Sequence, residues 1–167
     1  MSWQCYYPSC FVYYVQVAFY LYNYTRTDDL LAAISQIRYG GYSPNLSAAL
    51  STVRTDIFTT LNGARYEPSV LRLAVVFVTE NPSSYRSSTL SEARALADMD
   101  IGIVTVGVGL FVDRQLLSSI TSYPSNKNMF IVPSVRNVAV LTDPIKRIVC
   151  SGMQYLTYIS FCNFSFL

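Results

Sequence analysis

The sequence predicts an α/β fold built on a doubly wound, mostly parallel sheet. Three observations carry that expectation. Two short stretches, Leu71–Glu80 (LRLAVVFVTE) and Ile101–Val108 (IGIVTVGV), are apolar on both faces, as strands covered above and below in a parallel sheet are. Around them lie segments whose apolar residues recur at helical spacing. Strand and helix alternate in this way from Val15 to Cys150, the order in which crossover helices join parallel strands.

Residues 1–14 are rich in Tyr and Cys without a clean period and form an atypical N-terminal segment. From Val15, VQVAFYLYNY reads as a strand ending near Asn23, with Val15, Val17, Phe19 and Leu21 on one face. Thr25 or Thr27 then offers an N-cap, Asp28 and Asp29 fall in a first turn where the helix dipole favours acids, and Leu30, Leu31, Ile34 and Ile37 keep helical spacing until Gly40-Gly41. Asn45 is the expected cap of a second helix, whose Leu46, Leu50, Val53 and Ile57 give the best amphipathic period in the chain.

Leu71–Glu80 is the expected central strand. Gly63 and Pro68 punctuate its approach, and Asn81-Pro82-Ser83-Ser84 cannot continue a ladder. Ligands of open α/β sheets bind outside the carboxyl ends of the strands, so Thr79 and Glu80 stand at the functional edge. Thr89 and Glu92 have capping-box spacing for a short helix through Leu90, Ala93, Leu96 and Ala97. After the strand Ile101–Val108, Asp113 starts a helix through Leu116, Leu117 and Ile120, and Met129–Val132 makes a brief strand. Val138–Val149 reads as a closing helix, with Asp143-Pro144 either opening a new helix at the proline or kinking a single one. Residues 151–167 are an apolar tail without a place in the sheet, which leaves residues 15–150 as the folded unit.

Composition narrows the function. At 167 residues, with 51% hydrophobic and 13% charged, the chain is one domain long and too apolar to be disordered. A net charge of +2 with scattered Lys and Arg argues against nucleic acid as a partner. The apolar stretch Phe11–Leu21 is too short to span a bilayer. No histidine occurs, which removes Ser-His-Asp and Cys-His catalysis and the commonest zinc ligand.

The four cysteines, Cys5, Cys10, Cys150 and Cys162, sit near the ends without a C-x-x-C pair. They either join the ends of an extracellular domain or are free. Asn23, Asn45 and Asn163 head N-x-S/T triplets, candidate glycosylation sites that favour a secretory history. The start MSWQCYYPSC, in contrast, has no basic region and no small-residue cleavage site of the signal-peptide kind. Gly107-Val108-Gly109 lacks the third glycine of a dinucleotide fingerprint and reads as a strand ending under a packed loop. Asp98 and Asp100 read as the end of a helix and the turn before Ile101, not as a catalytic pair.

FYLYNYTRTDDLLAAISQIRYGGYSPNLSAAL, LRLAVVFVTE, ALADMDIGIVTVGVG and the closing IVC at Cys150, in this order and spacing, resemble a von Willebrand factor A domain, in detail the A modules of collagen VI α chains. The resemblance covers roughly residues 15–150 and implies a Rossmann-like sheet whose first strand and first helix lie upstream of its start. It also implies a metal site at the carboxyl edge, made of a D-x-S-x-S loop, a Thr after the paired glycines and an Asp after the central strand, oxygen donors that suit a hard cation. Here no D-x-S-x-S occurs, Pro44 stands at the hydroxyl position with Ser43 beside it, and Glu80 replaces the Asp. These degenerate positions predict no metal site and no cofactor. Cys150 corresponds to the family's closing cysteine, whose usual partner is missing, with Cys5, Cys10 or Cys162 as possible replacements.

Loss of the family's first strand would leave unpaired backbone beside the central strand, which residues 10–20 are β-prone enough to replace. The resemblance implies a secreted, non-catalytic module of the extracellular matrix that binds matrix proteins or collagen in matrix organisation and cell adhesion. The alternatives are a truncated, nonsecreted fragment without folded function and a small nucleotide-binding α/β protein.

Overall fold

The computed structural model describes residues 15–38, 45–79 and 85–151. Three parallel strands, β1 (Arg72–Val78), β2 (Ile101–Val108) and β3 (Met129–Val132), lie in the order β1-β2-β3. Arg72 pairs with Ile101 and Val78 with Gly107 along one ladder; Thr105 pairs with Met129 and Val108 with Val132 along the other.

Before the sheet come α1 (Thr27–Ser35) and α2 (Leu46–Thr52), the latter prolonged by a π turn at Val53–Ile57, and a 3-10 turn at Thr60–Asn62. The crossovers are α3 (Arg86–Asp98) between β1 and β2, and α4 (Arg114–Ile120) with α5 (Ser125–Asn128) between β2 and β3. A 3-10 segment, Val135–Leu141, then leads into α6 (Thr142–Ser151).

Helices pack on both faces of the sheet, as expected of a doubly wound fold. Strand alternation divides β2 between two cores. Ile101 and Ile103 face Leu46, Leu50, Leu96, Leu116, Leu117 and Ile120 from α2, α3 and α4. Val106 and Val108 face Val132 and Leu141, with Val138 and Ile145 from the segments after β3. The buried hydroxyl of Thr105 lies 2.6 Å from that of Thr121, which donates to the Leu117 carbonyl at 2.6 Å. Thr105 is therefore the donor of the pair, and both hydroxyls are satisfied.

Several local expectations hold. Asn45 caps α2 by accepting from the Ala48 N–H at 2.9 Å, and Asp113 caps α4 by accepting from the Leu116 N–H at 2.9 Å. Pro144 lies in the first turn of α6, so a new helix begins there after a 3-10 segment; a single kinked helix is excluded. Asp100 adopts a left-handed φ of 55° in the turn before β2.

Others need correction. The apolar run at residues 71–80 is not central among the described residues; β1 is an edge strand, and β2 is the interior one. Its composition suits coverage on two faces, but Val75 and Phe77 remain 38% and 53% exposed. Residues 15–23 form no strand. Val15, Val17 and Phe19 are half-buried in alternation with exposed Gln16 and Ala18, yet no described strand pairs with them. Their end folds into a turn instead, where the Asn23 N–H donates to the Tyr20 carbonyl and the Asn23 side chain accepts from the Tyr20 N–H.

Neither Thr25 nor Thr27 caps α1, whose N-cap is Arg26 with no side-chain hydrogen bond. Thr89 does not cap a helix either: α3 starts one turn earlier, and the Thr89 hydroxyl, fully buried, donates to the Tyr85 carbonyl. Its supposed capping partner Glu92 binds Arg54 on the π turn after α2, at 2.9 Å. A long-range ion pair won over the local box.

Candidate functional site

The carboxyl ends of three parallel strands converge on one edge, and the residues leaving them shape it. β2 ends at Val108; Gly109, with φ at 109°, takes a conformation that glycine adopts at no steric cost. Its N–H donates to the Val132 carbonyl at the end of β3, 2.8 Å away. The chain is thereby anchored at Gly109 and turns outward. Leu110 and Phe111 stand 79% and 85% exposed, after which Val112 returns to the core.

Val112 fits because Gly107 has no side chain: a Cβ there would meet Ile131, Leu117 and Val112 at 2.7, 2.9 and 3.0 Å. The glycine pair thus has a structural task, one glycine making room under the loop and the other turning it. A phosphate cradle is not needed to explain either.

Asp113 fixes the far end of this loop. Its Oδ1 accepts from the Leu116 N–H, and its Oδ2 accepts from Arg86 at 2.5 Å, which ties the start of α4 to the start of α3. The apolar tip is therefore held from both sides. Val135, just beyond the end of β3, adds a third exposed apolar residue at 71%.

Of the residues singled out from sequence, Thr79 follows β1 directly; its carbonyl lies 3.9 Å from where a Cβ on Gly109 would stand. Glu80, Ser43 and Pro44 lie outside the described residues, as do Cys5, Cys10, Cys162 and Asn163. Cys150 is disulfide-bonded. Asn23 is exposed in the turn before α1, while Asn45 is half-buried at its cap, using the side-chain oxygen and not the nitrogen a glycan would occupy. Asp98 ends α3, and Asp100 lies 3.8 Å from Arg72; the two form no catalytic constellation.

The positions that the resemblance assigns to a cation, Ser43, Pro44 and Glu80, lie outside the described residues. Among the described residues no group of three or more His, Cys, Asp or Glu side chains could hold a metal. Both oxygens of Asp113 are already engaged. What the edge offers instead is apolar surface on a fixed loop. Leu110 and Phe111 were not singled out from the sequence, although two large apolar residues directly after a strand-ending glycine, where polar residues are the rule, are a readable signal.

The model of the von Willebrand factor type A domain matches residues 10–144. Matrilin-2 of Mus musculus is 26% identical over 142 residues, which make up 84% of this chain and 14% of matrilin-2. The chain therefore spans about 14% of the length of that relative. Among solved structures, proximal thread matrix protein 1 from the mussel byssus superposes with a TM-score of 0.71 at 16% identity, over 80% of this chain and 34% of that one. The same protein with a zinc-occupied MIDAS motif gives 0.70 at 18% identity, over 82% and 33%. The manganese-loaded TRAP protein of Plasmodium vivax gives 0.51 at 18% identity, over 71% and 47%. Likeness at these identities establishes the shared fold.

Proposed function

This chain belongs to the von Willebrand factor type A domain family, and from that membership we propose that it is a non-catalytic protein-interaction module of the extracellular matrix, secreted and docking on matrix proteins or collagen. The observation that carries the reading is the Leu110–Phe111 tip, two large apolar side chains held in solvent at the sheet edge where open α/β folds bind ligands. A fixed loop presents them at little entropic cost on binding, and buried aromatic anchors at the centre of an interface carry a large share of its energy.

The matrix setting is supported by proximal thread matrix protein 1, a byssus matrix protein of the same fold, and by the sequence similarity to matrilin-2. A collagen VI-type A module is the finer assignment, resting on the order of sequence landmarks. Docking proceeds without a cation, because Asp113 is committed to Arg86 and to its cap, and the sequence has no D-x-S-x-S loop. Nucleotide binding has little support, since Gly107 packs into the core and Gly109 serves the tip.

The test is solid-phase binding of the full chain to triple-helical collagen and to decellularised connective-tissue matrix, each with and without EDTA. Saturable binding to at least one surface that EDTA leaves unchanged is expected. Absence of saturable binding to both, or its abolition by EDTA, overturns the reading.

A further inference from the structure

We propose that Asn23 carries an N-linked glycan whose first sugar rests on the stacked rings of Tyr20 and Tyr22. The site rests on the secreted setting in the proposed function, since glycan transfer takes place in the secretory pathway. Two acceptor triplets fall among the described residues. Asn45-Leu46-Ser47 opens α2 with Leu46 buried, whereas Asn23-Tyr24-Thr25 is exposed at all three residues. A bulky glycan needs such a surface.

The turn presents the acceptor amide in one orientation. The Asn23 N–H donates to the Tyr20 carbonyl at 3.1 Å, closing a four-residue turn, and the Asn23 Oδ1 accepts from the Tyr20 N–H at 2.6 Å. The side-chain oxygen is thereby committed. The amide nitrogen Nδ2, the atom that takes the sugar, makes no hydrogen bond among the described residues. Gly63, at φ 90°, lets this turn rest on the body of the domain, because a Cβ there would meet the Tyr22 nitrogen at 2.8 Å. In the transfer a C–N bond forms between the anomeric carbon of an oligosaccharide and Nδ2. The bond from that carbon to a lipid diphosphate breaks, its electron pair leaves with the diphosphate, and Nδ2 gives up one proton. Neither oxidant nor reductant takes part.

The aromatic residues of the turn supply the platform. Tyr20 and Tyr22 stack with ring centroids 6.1 Å apart and planes 16° from parallel, and Phe19 meets Tyr24 edge-on at 5.6 Å. Tyr22 nonetheless stays 55% exposed, and none of these four rings belongs to either core. The π face of an aromatic ring is negative, which suits the weakly positive C–H groups on one face of a pyranose. Sugar burial there also covers apolar ring surface that the protein leaves in water. Leu21 of the turn lines a hollow with Leu71 and Leu73, at the amino end of β1. A glycan at Asn23 therefore leaves the Leu110–Phe111 tip, at the carboxyl edge, open for docking.

The test expresses the full chain in mammalian cells behind a cleavable secretory leader and reads Asn23 by mass spectrometry after enzymatic glycan release in heavy-oxygen water. Occupancy of Asn23 in most leader-cleaved molecules is expected; an unmodified Asn23 in them would overturn the proposal. The leader supplies entry, so this failure is distinct from a failure of matrix binding, which bears on the docking reading alone. Ser47→Ala and Ser165→Ala then leave Asn23 as the acceptor for an NMR measurement on the isotope-labelled glycan, trimmed to one sugar. Its C–H protons should shift upfield in the folded chain relative to the urea-unfolded one, as protons over an aromatic face do, and Tyr20→Ala/Tyr22→Ala should abolish that shift while Asn23 stays occupied. Sugar protons at the same positions in the folded and unfolded chain would overturn the platform, as would a shift that survives in the folded double variant. If the double variant does not fold, the comparison of folded and unfolded native chain decides alone.

Discussion

Asp113 performs two tasks with its two carboxylate oxygens, capping α4 with one and holding Arg86 with the other. Asp113→Ala is expected to cost about 1–2 kcal/mol, at the upper part of the range for a lost N-cap, read from denaturant midpoints. The Thr105–Thr121 pair gives an asymmetric forecast. Thr121→Val strands the fully buried Thr105 hydroxyl and should cost about 1–3 kcal/mol, whereas Thr105→Val leaves Thr121 bonded to Leu117 and should cost roughly 0.5–1.5 kcal/mol. Equal costs would contradict the donor assignment. The Arg54 guanidinium is raised above its ordinary range by its hydrogen bond to Glu92 and then by that carboxylate's charge. A raised folded-state value gives stability that is complete below the unfolded-state value and is lost only as pH climbs through strong alkali. The Tm difference between Arg54→Met and the native chain should therefore stay constant from about pH 6 to 9. For Glu80, calorimetric titration with magnesium or manganese should give no tight one-site binding; such binding, abolished by Glu80→Ala, would restore the metal site that the degenerate positions argue against.

At the scale of elements, cohesion is uneven. α3 buries Thr89, Ala93 and Leu96, while α1 buries none of its residues and leaves Leu31 and Ile34 at 39% and 46% exposure. A nine-residue helix without packing is marginal in water, so α1 amides should exchange orders of magnitude faster than those of α3; comparable protection would mean that something covers the α1 face. Helices with strong local signals were legible from sequence: Asn45 and Asp113 announce their caps, and Leu46 and Leu50 their buried faces. The strands of Ile101–Val108 and Met129–Val132 were equally plain. What failed was pairing. VQVAFYLYNY has the alternation of a strand but no described neighbour, and Leu71–Glu80 has the composition of an interior strand, while β1 lies at an edge among the described residues. Strand state depends on a partner distant in sequence, which local composition does not encode. Thr89 and Glu92 failed for a related reason, each being claimed by a contact that spacing cannot reveal.

On the scale of the whole molecule, two cores share β2, and the apolar tip stands where the carboxyl ends of the strands meet. The parallel sheet with helices on both faces was readable because alternation of strand and helix fixes the class. The tip was not, because the exposure of Leu110 and Phe111 emerges only once Gly109 turns the loop outward, a fold-dependent event that composition does not encode. That this tip is the docking surface is tested most directly by Leu110→Ser/Phe111→Ser. Both side chains are already in solvent, so folding should be unaffected, with Tm within about 2 °C of the native chain. Binding to the matrix surface that the native chain recognises should weaken at least tenfold, about 1.4 kcal/mol. Native-like affinity in a folded double variant would contradict the claim.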